Sequence, residues 1–126
     1  MTLILDAGAL MAVERGDRDV LALIKQERLA GRVPVTHGGI VGQVWRGGNH
    51  RQVPIARLLA GARIIPIDDD LGRSTGTLLA KAGTSDVLDA AVLVLAADGD
   101  DILTSDPDDL TRLAIHAGTH VEIIPV

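Results

Sequence analysis

Several side-chain types are absent from this sequence. It contains no cysteine, phenylalanine or tyrosine, and Trp45 is its one tryptophan. Without cysteine there are no disulfides, thiol nucleophiles or cysteine-ligated metals. Proteins that hold single-stranded nucleic acid by stacking bases on aromatic rings need several such rings, so the composition argues against an OB-fold or an RRM. The core must be built from Leu, Val, Ile and Ala, whose burial is worth roughly 25 cal/mol per Å² without any ring.

Long hydrophobic segments are also missing. The N-terminus has no basic start followed by an apolar stretch, so no signal peptide is expected. The longest apolar run, residues 90–97, is far shorter than the roughly 20 residues of a membrane-spanning helix. The chain has 126 residues and no linker, repeat or low-complexity tract. It therefore predicts a single domain over residues 1–126, in a soluble, cytoplasmic protein without membrane contact.

Charge is distributed unevenly along the chain, whose net charge is −5. Residues 1–67 hold nine Lys and Arg against five Asp and Glu, whereas residues 68–109 hold two against eleven. A basic part beside an acidic part suits a polyanionic substrate handled at a metal-loaded carboxylate site. The same pattern is typical of ordinary solvated faces. Charge alone therefore leaves both interpretations open.

Hydrophobic patterning predicts alternating strands and helices. Short apolar runs predict five strands, at residues 2–5, 33–36, 63–67, 102–104 and 121–125. Helical periodicity predicts helices at residues 17–29, 40–45, 53–59, 71–82, 86–97 and 108–117. Pro66 indicates that the third strand is an edge strand or ends there. Such alternation predicts an α/β fold with a central parallel β-sheet flanked by helices on both faces.

Acidic residues stand at the ends of the predicted strands. Asp6 follows the first strand, Asp106 follows the fourth, and Asp86 and Asp89 lie three residues apart at the start of the most hydrophobic helix. Open α/β sheets bind ligands outside the carboxyl ends of their strands, which makes these four carboxylates the candidate site. Helix capping is the competing explanation for Asp6, Asp86 and Asp106, because each stands where a helix begins.

Asp89 is the acid that capping does not explain. It precedes an unbroken apolar run, and the only Lys or Arg between Arg73 and Arg112 is Lys81. A buried, ionised carboxylate costs several kcal/mol unless a cation or hydrogen bonds compensate it. A bound Mg²⁺ or Mn²⁺, which prefers oxygen ligands, would supply the missing charge and explain why several acids converge.

Three short segments together resemble the acidic motifs of PIN-domain nucleases, most closely those of the VapC-like toxins of bacterial toxin–antitoxin pairs. They read LILDA at residues 3–7, DAAV at 89–92 and LTSD at 103–106. The resemblance in order and spacing covers essentially the whole chain. It implies a PIN-domain fold, dependence on Mg²⁺ or Mn²⁺, and endonucleolytic cleavage of RNA. It also implies homodimers and inhibition by a small antitoxin protein.

The resemblance carries three family acids onto this chain, Asp6, Asp89 and Asp106, as ligands of the metal. Thr104 matches a hydroxyl residue just before the last acid, and we expect it to contact the substrate. One departure lies in the helix after the second strand, where the family usually has a Glu and this chain has Gln43. An amide offers an oxygen but no charge, so metal binding should weaken. The alternative is a PIN-like domain that binds RNA or protein and has impaired catalysis.

The expected reaction is metal-assisted hydrolysis of an RNA phosphodiester bond. Asp6 and Asp89 would hold the principal ion, while Asp86 and Asp106 would position water or a second ion. Asp86 is also the expected replacement for the missing Glu, because it faces the same way as Asp89 on its helix. We expect Gln43 to contact the substrate beside these acids.

Basic residues around the third helix are the candidate contacts to the RNA backbone. Arg46, Arg51 and Arg57 would grip phosphates, and plain surface charge or a dimer contact is the competing explanation. His37 and His50 are further candidates for substrate contact. No pair of His residues has the spacing of a zinc site.

Two other small α/β families place acids at strand ends. A receiver domain would have adjacent acids after the first strand and a Lys after a late one, but Asp6 is followed by Ala7 and no Lys follows Lys81. A phosphatase of the dehalogenase type would have a second Asp where this chain has Gly8. The sequence therefore favours the nuclease.

Overall fold

Five short parallel strands form one sheet in the computed structural model, which describes all 126 residues. Their spatial order is β3-β2-β1-β4-β5, and every pairing is parallel. All five overlap the segments that the sequence predicts as strands. The strands are β1 (Leu3–Leu5), β2 (Val35–His37), β3 (Arg63–Ile65), β4 (Asp101–Thr104) and β5 (Glu122–Pro125).

Seven α-helices connect the strands, and a 3-10 turn (His50–Gln52) precedes the fourth of them. None of the helices combines the length and the apolar character that crossing a membrane would take. They are α1 (Ala7–Glu14), α2 (Arg18–Leu29), α3 (Gly38–Val44), α4 (Val53–Ala60), α5 (Asp69–Ala82), α6 (Val87–Val94) and α7 (Pro107–Ala117).

Two helices differ from the sequence-based expectation. Periodicity does not predict α1, because its residues AGALMAVE are apolar on nearly all sides and form no polar face. The helix predicted at residues 86–97 ends earlier, at Val94. The turn that follows is held by Asp100, whose carboxylate accepts the backbone N–H of Ala97 at 2.9 Å.

The order of the strands reverses direction between β1 and β4. From β1 the chain steps outward to β2 and β3, returns across the sheet to β4, and continues to β5. Right-handed crossovers then place α1 to α4 on one face and α5 to α7 on the other, and the helices pack on one another in these two groups. Ligands of such sheets bind where the direction reverses. At that point Asp6 follows β1, and Ser105 and Asp106 follow β4.

The core is aliphatic throughout, as the composition requires. Its fully buried side chains come from the central strands and from helices on both faces, for example Ile4, Leu10, Ile55, Leu93 and Leu110. Trp45 is exposed and lies outside this cluster. Burial of branched aliphatic side chains thus fixes the sheet and its helices without aromatic packing.

Both edges of the sheet carry a proline. The strand order confirms that β3 is an edge strand, and Pro66 directly follows it. Pro125 lies in β5, at the other edge. Proline has no N–H to offer to a further strand. The two prolines therefore limit pairing of the sheet edges with other chains.

Candidate metal centre

Three aspartates that are distant in sequence meet at the carboxyl end of the central strands. Asp6 follows β1, Asp106 follows β4, and Asp89 lies in the first turn of α6. One carboxylate oxygen from each lies within 4.8 Å of the other two. Leu5 and Leu103 pair in register in β1 and β4, so the residues that follow them emerge side by side. The convergence of acids expected from the sequence is therefore present.

Asp6 is held by three hydrogen bonds. Its Oδ1 accepts the backbone N–H of Ala9 at 2.8 Å, which caps α1. Its Oδ2 accepts the Thr104 hydroxyl and the backbone N–H of Ser105, the latter at 3.2 Å. The residue is 2 % exposed, and burial raises the pKa of its carboxyl although these hydrogen bonds oppose the shift. Capping is thus present, yet carboxylate oxygens retain lone pairs for a cation.

Thr104 joins two of the three acids. Its hydroxyl donates to Asp6 Oδ2 and accepts the backbone N–H of Asp106 at 2.8 Å. The side chain is fully buried, so the expectation that Thr104 contacts the substrate is wrong. Its place in the structure is beneath the acids, where it fixes the orientation of Asp6 relative to the backbone of Asp106.

Asp89 carries the least compensated charge of the three. It is 8 % exposed, and no protein group donates a hydrogen bond to its carboxylate. Burial raises its pKa to about 7, and repulsion from Asp86, Asp106 and Asp6 adds to the shift. A bound cation would favour the ionised form and lower this pKa again.

Asp86 and Asp106 both stand at helix N-termini, but only one of them caps. The Oδ1 of Asp86 accepts the backbone N–H of Asp89 at 3.1 Å at the start of α6. Asp86 is exposed and is not one of the three converging acids. Asp106 precedes Pro107 at the start of α7, but its side chain makes no capping hydrogen bond. Capping therefore explains Asp86 and leaves the exposed Asp106 carboxylate free for a ligand.

A narrow cleft beside the three acids contains a cation that the sequence analysis does not single out. This cation is Arg112 of α7, whose guanidinium forms no ion pair. The signal in the sequence is that Arg112 is the only Lys or Arg after Lys81. The residues that line the cleft are Thr84, Asp86, Asp89, Asp109, Arg112 and Leu113.

Gln43 lies exposed on α3, one turn after Gly39. Gly39 packs directly on the start of α6, since a Cβ built on it would lie 2.5 Å from a methyl carbon of Leu88. Residues four apart share a helix face, so Gln43 belongs to the side of α3 that is turned toward α6. Its contact with a substrate stays a prediction.

Neither Arg46 nor Arg51 belongs to the acid cluster or lines the cleft beside it. The helix α3 begins at the end of β2 and leads away from that edge of the sheet. Its seven residues rise roughly 1.5 Å each, so the end of α3 lies about 10 Å from the end of β2. The Arg46 guanidinium donates to the carbonyl oxygens of Trp45 at 2.7 Å and Gly42 at 3.3 Å. One nitrogen of this exposed guanidinium thus caps the end of its own helix, and the role of Arg46 as an RNA contact stays a prediction. Arg51 is exposed on the 3-10 turn, and its role as an RNA contact stays a prediction.

His37 is fully buried, which corrects its expected contact with the substrate. Its Nδ1 accepts the backbone N–H groups of Gly39 and Ile40 at 3.1 and 3.3 Å, and its Nε2 donates to the carbonyl of Leu88 at 3.0 Å. This pattern requires the neutral ring, and burial lowers the pKa of His37 accordingly. His37 thereby ties the start of α3 to the residue before Asp89. The sequence gives no signal for this, because His is not a favoured capping residue.

The lack of a side chain at Gly8 lets α1 approach the loop after β4. A Cβ at this position would lie 2.1 Å from Ser105 Oγ and 3.0 Å from the backbone nitrogen of Ser105. That nitrogen donates to Asp6, and Ser105 directly precedes Asp106. The close approach at Gly8 therefore helps to position two of the three acids.

The donor set formed by Asp6, Asp89 and Asp106 fits a hard divalent cation. It offers carboxylate oxygens only, which are the ligands that Mg²⁺ and Mn²⁺ prefer. It contains no histidine or cysteine of the kind that structural zinc sites use. Since Asp89 has no compensating partner in the protein, a divalent ion would satisfy the cluster in both charge and ligand chemistry.

Comparison with known proteins bears on the fold. No protein-family model matches the sequence, and no curated protein matches it. Among solved structures, the chain is similar to one in the crystal structure of VapBC2 from Rickettsia felis bound to a DNA fragment from the VapBC2 promoter. The TM-score is 0.71 at 10 % sequence identity, over 98 % of each chain. The expected α/β PIN-domain fold, with a central parallel sheet between two layers of helices, is thereby confirmed.

Proposed function

We propose that this protein is a metal-dependent endoribonuclease in which Asp6, Asp89 and Asp106 bind Mg²⁺ or Mn²⁺. One observation carries the proposal: three carboxylates from separate parts of the chain converge within 4.8 Å where the strand order reverses. The burial of Asp89 without a partner supports it, because ionising this group without a nearby cation is unfavourable. Helix capping alone would not require the three acids to converge.

The chemistry is hydrolysis of a phosphodiester bond. When bound, the ion would polarise a phosphate oxygen and lower the pKa of the water that attacks phosphorus as the bond to the leaving oxygen breaks. Asp86 lies exposed beside Asp89 with one carboxylate oxygen outside its capping bond. There it would position the attacking water and accept its proton. Thr104 would hold Asp6 in a fixed orientation throughout the reaction.

The biological role that we propose is the toxin of a toxin–antitoxin pair. Two observations support it: the three acidic segments resemble those of VapC-like toxins, and the fold is similar to a chain of the VapBC2 structure. RNA is then the substrate, a small antitoxin protein the inhibitory partner, and a homodimer the expected assembly. Co-expression with the product of a short reading frame directly upstream tests this role, because the complex should be stable and inactive.

Gln43 favours one alternative function. If the family Glu is needed for a second charge at the site, a neutral amide leaves a PIN-like domain that binds RNA or protein without cleaving RNA. The retained cluster of three acids argues for activity, because nothing in the fold needs an unpartnered carboxylate at Asp89.

Mn²⁺ calorimetry and an RNA cleavage assay separate these two functions. The nuclease predicts Mn²⁺ binding of micromolar affinity and cleavage of total RNA that EDTA abolishes. Asp89→Asn should lose both properties, whereas Asp19→Asn, an exposed acid in the first turn of α2, should keep both. Intact RNA and no heat of Mn²⁺ binding with the wild-type protein would overturn the nuclease. Binding of RNA without metal and without cleavage would support the alternative.

A further inference from the structure

We propose that Arg112 binds a phosphate of the RNA substrate at the candidate metal centre, an inference that rests on the proposed nuclease function. Arg112 lines the cleft that also contains Asp86 and Asp89. Asp89 belongs both to this cleft and to the cluster of three acids. A substrate phosphate at the metal centre would therefore lie next to the guanidinium.

Arg112 is unusual in being unpaired among carboxylates. Residues 82–126 contain nine Asp and Glu but no other Lys or Arg. Elsewhere in the chain, two arginines form close ion pairs with neighbouring acids. Arg32 donates two hydrogen bonds to Glu27 at 3.0 Å, and Arg73 pairs with Asp69 at 2.9 Å. Arg112 shares its cleft with three carboxylates and pairs with none, so its five N–H donors remain available for a ligand.

The backbone beneath Arg112 is held firmly in place. The neighbouring residues Leu110 and Leu113 are buried in the core and anchor α7. Asp109 and Arg112 are three residues apart and thus share a helix face. Helical side chains lean toward the N-terminus of their helix, and the N-terminus of α7 is where Asp106 stands. Arg112 is therefore directed along α7 toward the three acids.

The charge balance at the centre explains why a cation is needed there. Three aspartates with one divalent ion still carry a net negative charge, and the exposed Asp86 and Asp109 add to it. A polyanionic substrate would be repelled unless positive charge faced it. Arg112 is the only Lys or Arg lining the cleft. Its planar fork matches two phosphate oxygens, a geometry that lysine does not reproduce.

The competing role for Arg112 is structural, as an ion pair with Asp109 or Asp86 that holds α6 against α7. The two roles differ in what the loss of the guanidinium changes. A phosphate contact affects RNA binding and its salt dependence, whereas a structural ion pair affects the melting temperature and the geometry of the metal ligands. Arg112→Met keeps an unbranched apolar stem without the charge, and Arg112→Lys keeps the charge without the fork.

The test compares these variants with Arg63→Met. Arg63 is an exposed arginine that begins β3, at the edge of the sheet opposite to β5 and α7.

We expect Arg112→Met to lower kcat/KM for RNA cleavage roughly 10- to 100-fold, as expected for a charged hydrogen-bonding contact. The dependence of log KM on log salt should become shallower by about 0.7–0.9, the value for one phosphate contact. Mn²⁺ affinity should be unchanged or slightly raised, and the melting temperature should be unchanged. Arg112→Lys should fall between wild type and Arg112→Met, and Arg63→Met should match wild type.

Two results would overturn the role of Arg112 alone. One is full activity in Arg112→Met. The other is a loss of activity that is matched by weaker Mn²⁺ binding or a lower melting temperature. If the wild-type protein itself shows no Mn²⁺-dependent cleavage, the proposed function fails and the role of Arg112 fails with it. The wild-type measurement therefore separates the two failures.

Discussion

The Thr104 hydroxyl donates a hydrogen bond to the Asp6 carboxylate, although the two residues are 98 positions apart in the sequence. The same hydroxyl accepts the backbone N–H of Asp106. One buried oxygen thus links the ends of two adjacent strands and sets the orientation of two candidate metal ligands. Residues that orient metal ligands in this way commonly affect metal affinity although they do not touch the ion.

Thr104→Val should lower both metal affinity and stability. The variant removes one of the two donors to Asp6 Oδ2 and leaves the backbone N–H of Asp106 without its partner, which costs roughly 1–3 kcal/mol. Mn²⁺ affinity should fall roughly 10- to 100-fold, as for other residues that orient metal ligands. Calorimetry and urea unfolding measure the two effects. Thr104→Ser, which keeps the hydroxyl, should recover most of both.

Thr111→Val is the matched control for that comparison. Thr111 is exposed on α7 and its hydroxyl donates only to the carbonyl of Pro107, at 2.7 Å. Its replacement should leave Mn²⁺ affinity unchanged. An equal loss of affinity in Thr104→Val and Thr111→Val would contradict a specific role for Thr104.

Asp89 should make the metal-free protein less stable as the pH rises. Its pKa is about 7 in the folded chain against an ordinary value of 3.8, so between these values the folded chain keeps a proton that the unfolded chain has lost. This stabilisation is complete below the unfolded pKa and is lost as the pH rises through about 7. The raised pKa of Asp6 acts in the same direction.

Urea unfolding in EDTA between about pH 5 and pH 8 measures this dependence. Asp89→Asn should give a flatter dependence and be more stable than wild type at the alkaline end. The lowered pKa of His37 acts in the opposite sense, since its contribution is lost as the pH falls below about 6.5. That contribution is common to both proteins and cancels in the difference. Parallel curves for the two proteins would show that Asp89 does not titrate in this range.

Metal binding should release a proton from the site below neutral pH. A divalent ion binds the ionised carboxylates, and the Asp89 carboxyl, with its pKa of about 7, is largely protonated at lower pH. Mn²⁺ affinity should therefore fall as the pH is lowered below about 7 and level off above it. Calorimetry at about pH 6 in two buffers of different ionisation enthalpy measures the protons released. A pH-independent affinity across this range would contradict ligation by Asp89.

Gly8→Ala should disturb the acids through the backbone. The added methyl would overlap Ser105, so α1 or the loop after β4 must move and shift the N–H that holds Asp6. Overpacking of this kind costs roughly 1–3 kcal/mol, and Mn²⁺ affinity should fall with stability.

Gly72→Ala is the control, because nothing lies within 4 Å of a Cβ at Gly72 in α5. It should raise stability by roughly 0.5–1 kcal/mol and leave metal binding unchanged. Equal behaviour of the two alanine variants would contradict the steric argument.

The sheet and the three converging acids could be predicted from sequence because both follow from local patterns. Apolar runs locate strands, and parallel strands bring the residues at their carboxyl ends to one edge. Periodicity missed α1 because burial on most of its sides removes the polar face that periodicity detects, and Asp6 as a possible cap was its one sequence signal. The early end of α6 depends on Asp100, a residue six positions beyond Val94 that no pattern connects with the helix.

The roles of polar side chains were harder to predict, because they depend on contacts across the fold. Thr104 stands where a substrate contact would be expected, yet its buried hydroxyl donates its hydrogen bond to Asp6. Arg46 lies close in sequence to Gln43 but closes its own helix end. Arg112 lines the cleft beside Asp89 only because α7 packs beside α6. Sequence thus identified the three acids that converge and missed the contacts that orient or accompany them.

Gln43→Glu should tighten Mn²⁺ binding. Gln43 lies on the side of α3 that is turned toward α6, one turn from the contact between Gly39 and Leu88. A carboxylate there would add negative charge to a site that attracts a divalent ion, and charges near a protein surface interact at an effective dielectric constant of about 20. We expect affinity to rise on the order of tenfold, with a matching gain in cleavage at low Mn²⁺ concentration. Gln26→Glu, which adds the same charge on the exposed surface of α2, should leave affinity unchanged. Equal effects of the two variants would show that Gln43 acts through net charge alone and does not face the metal.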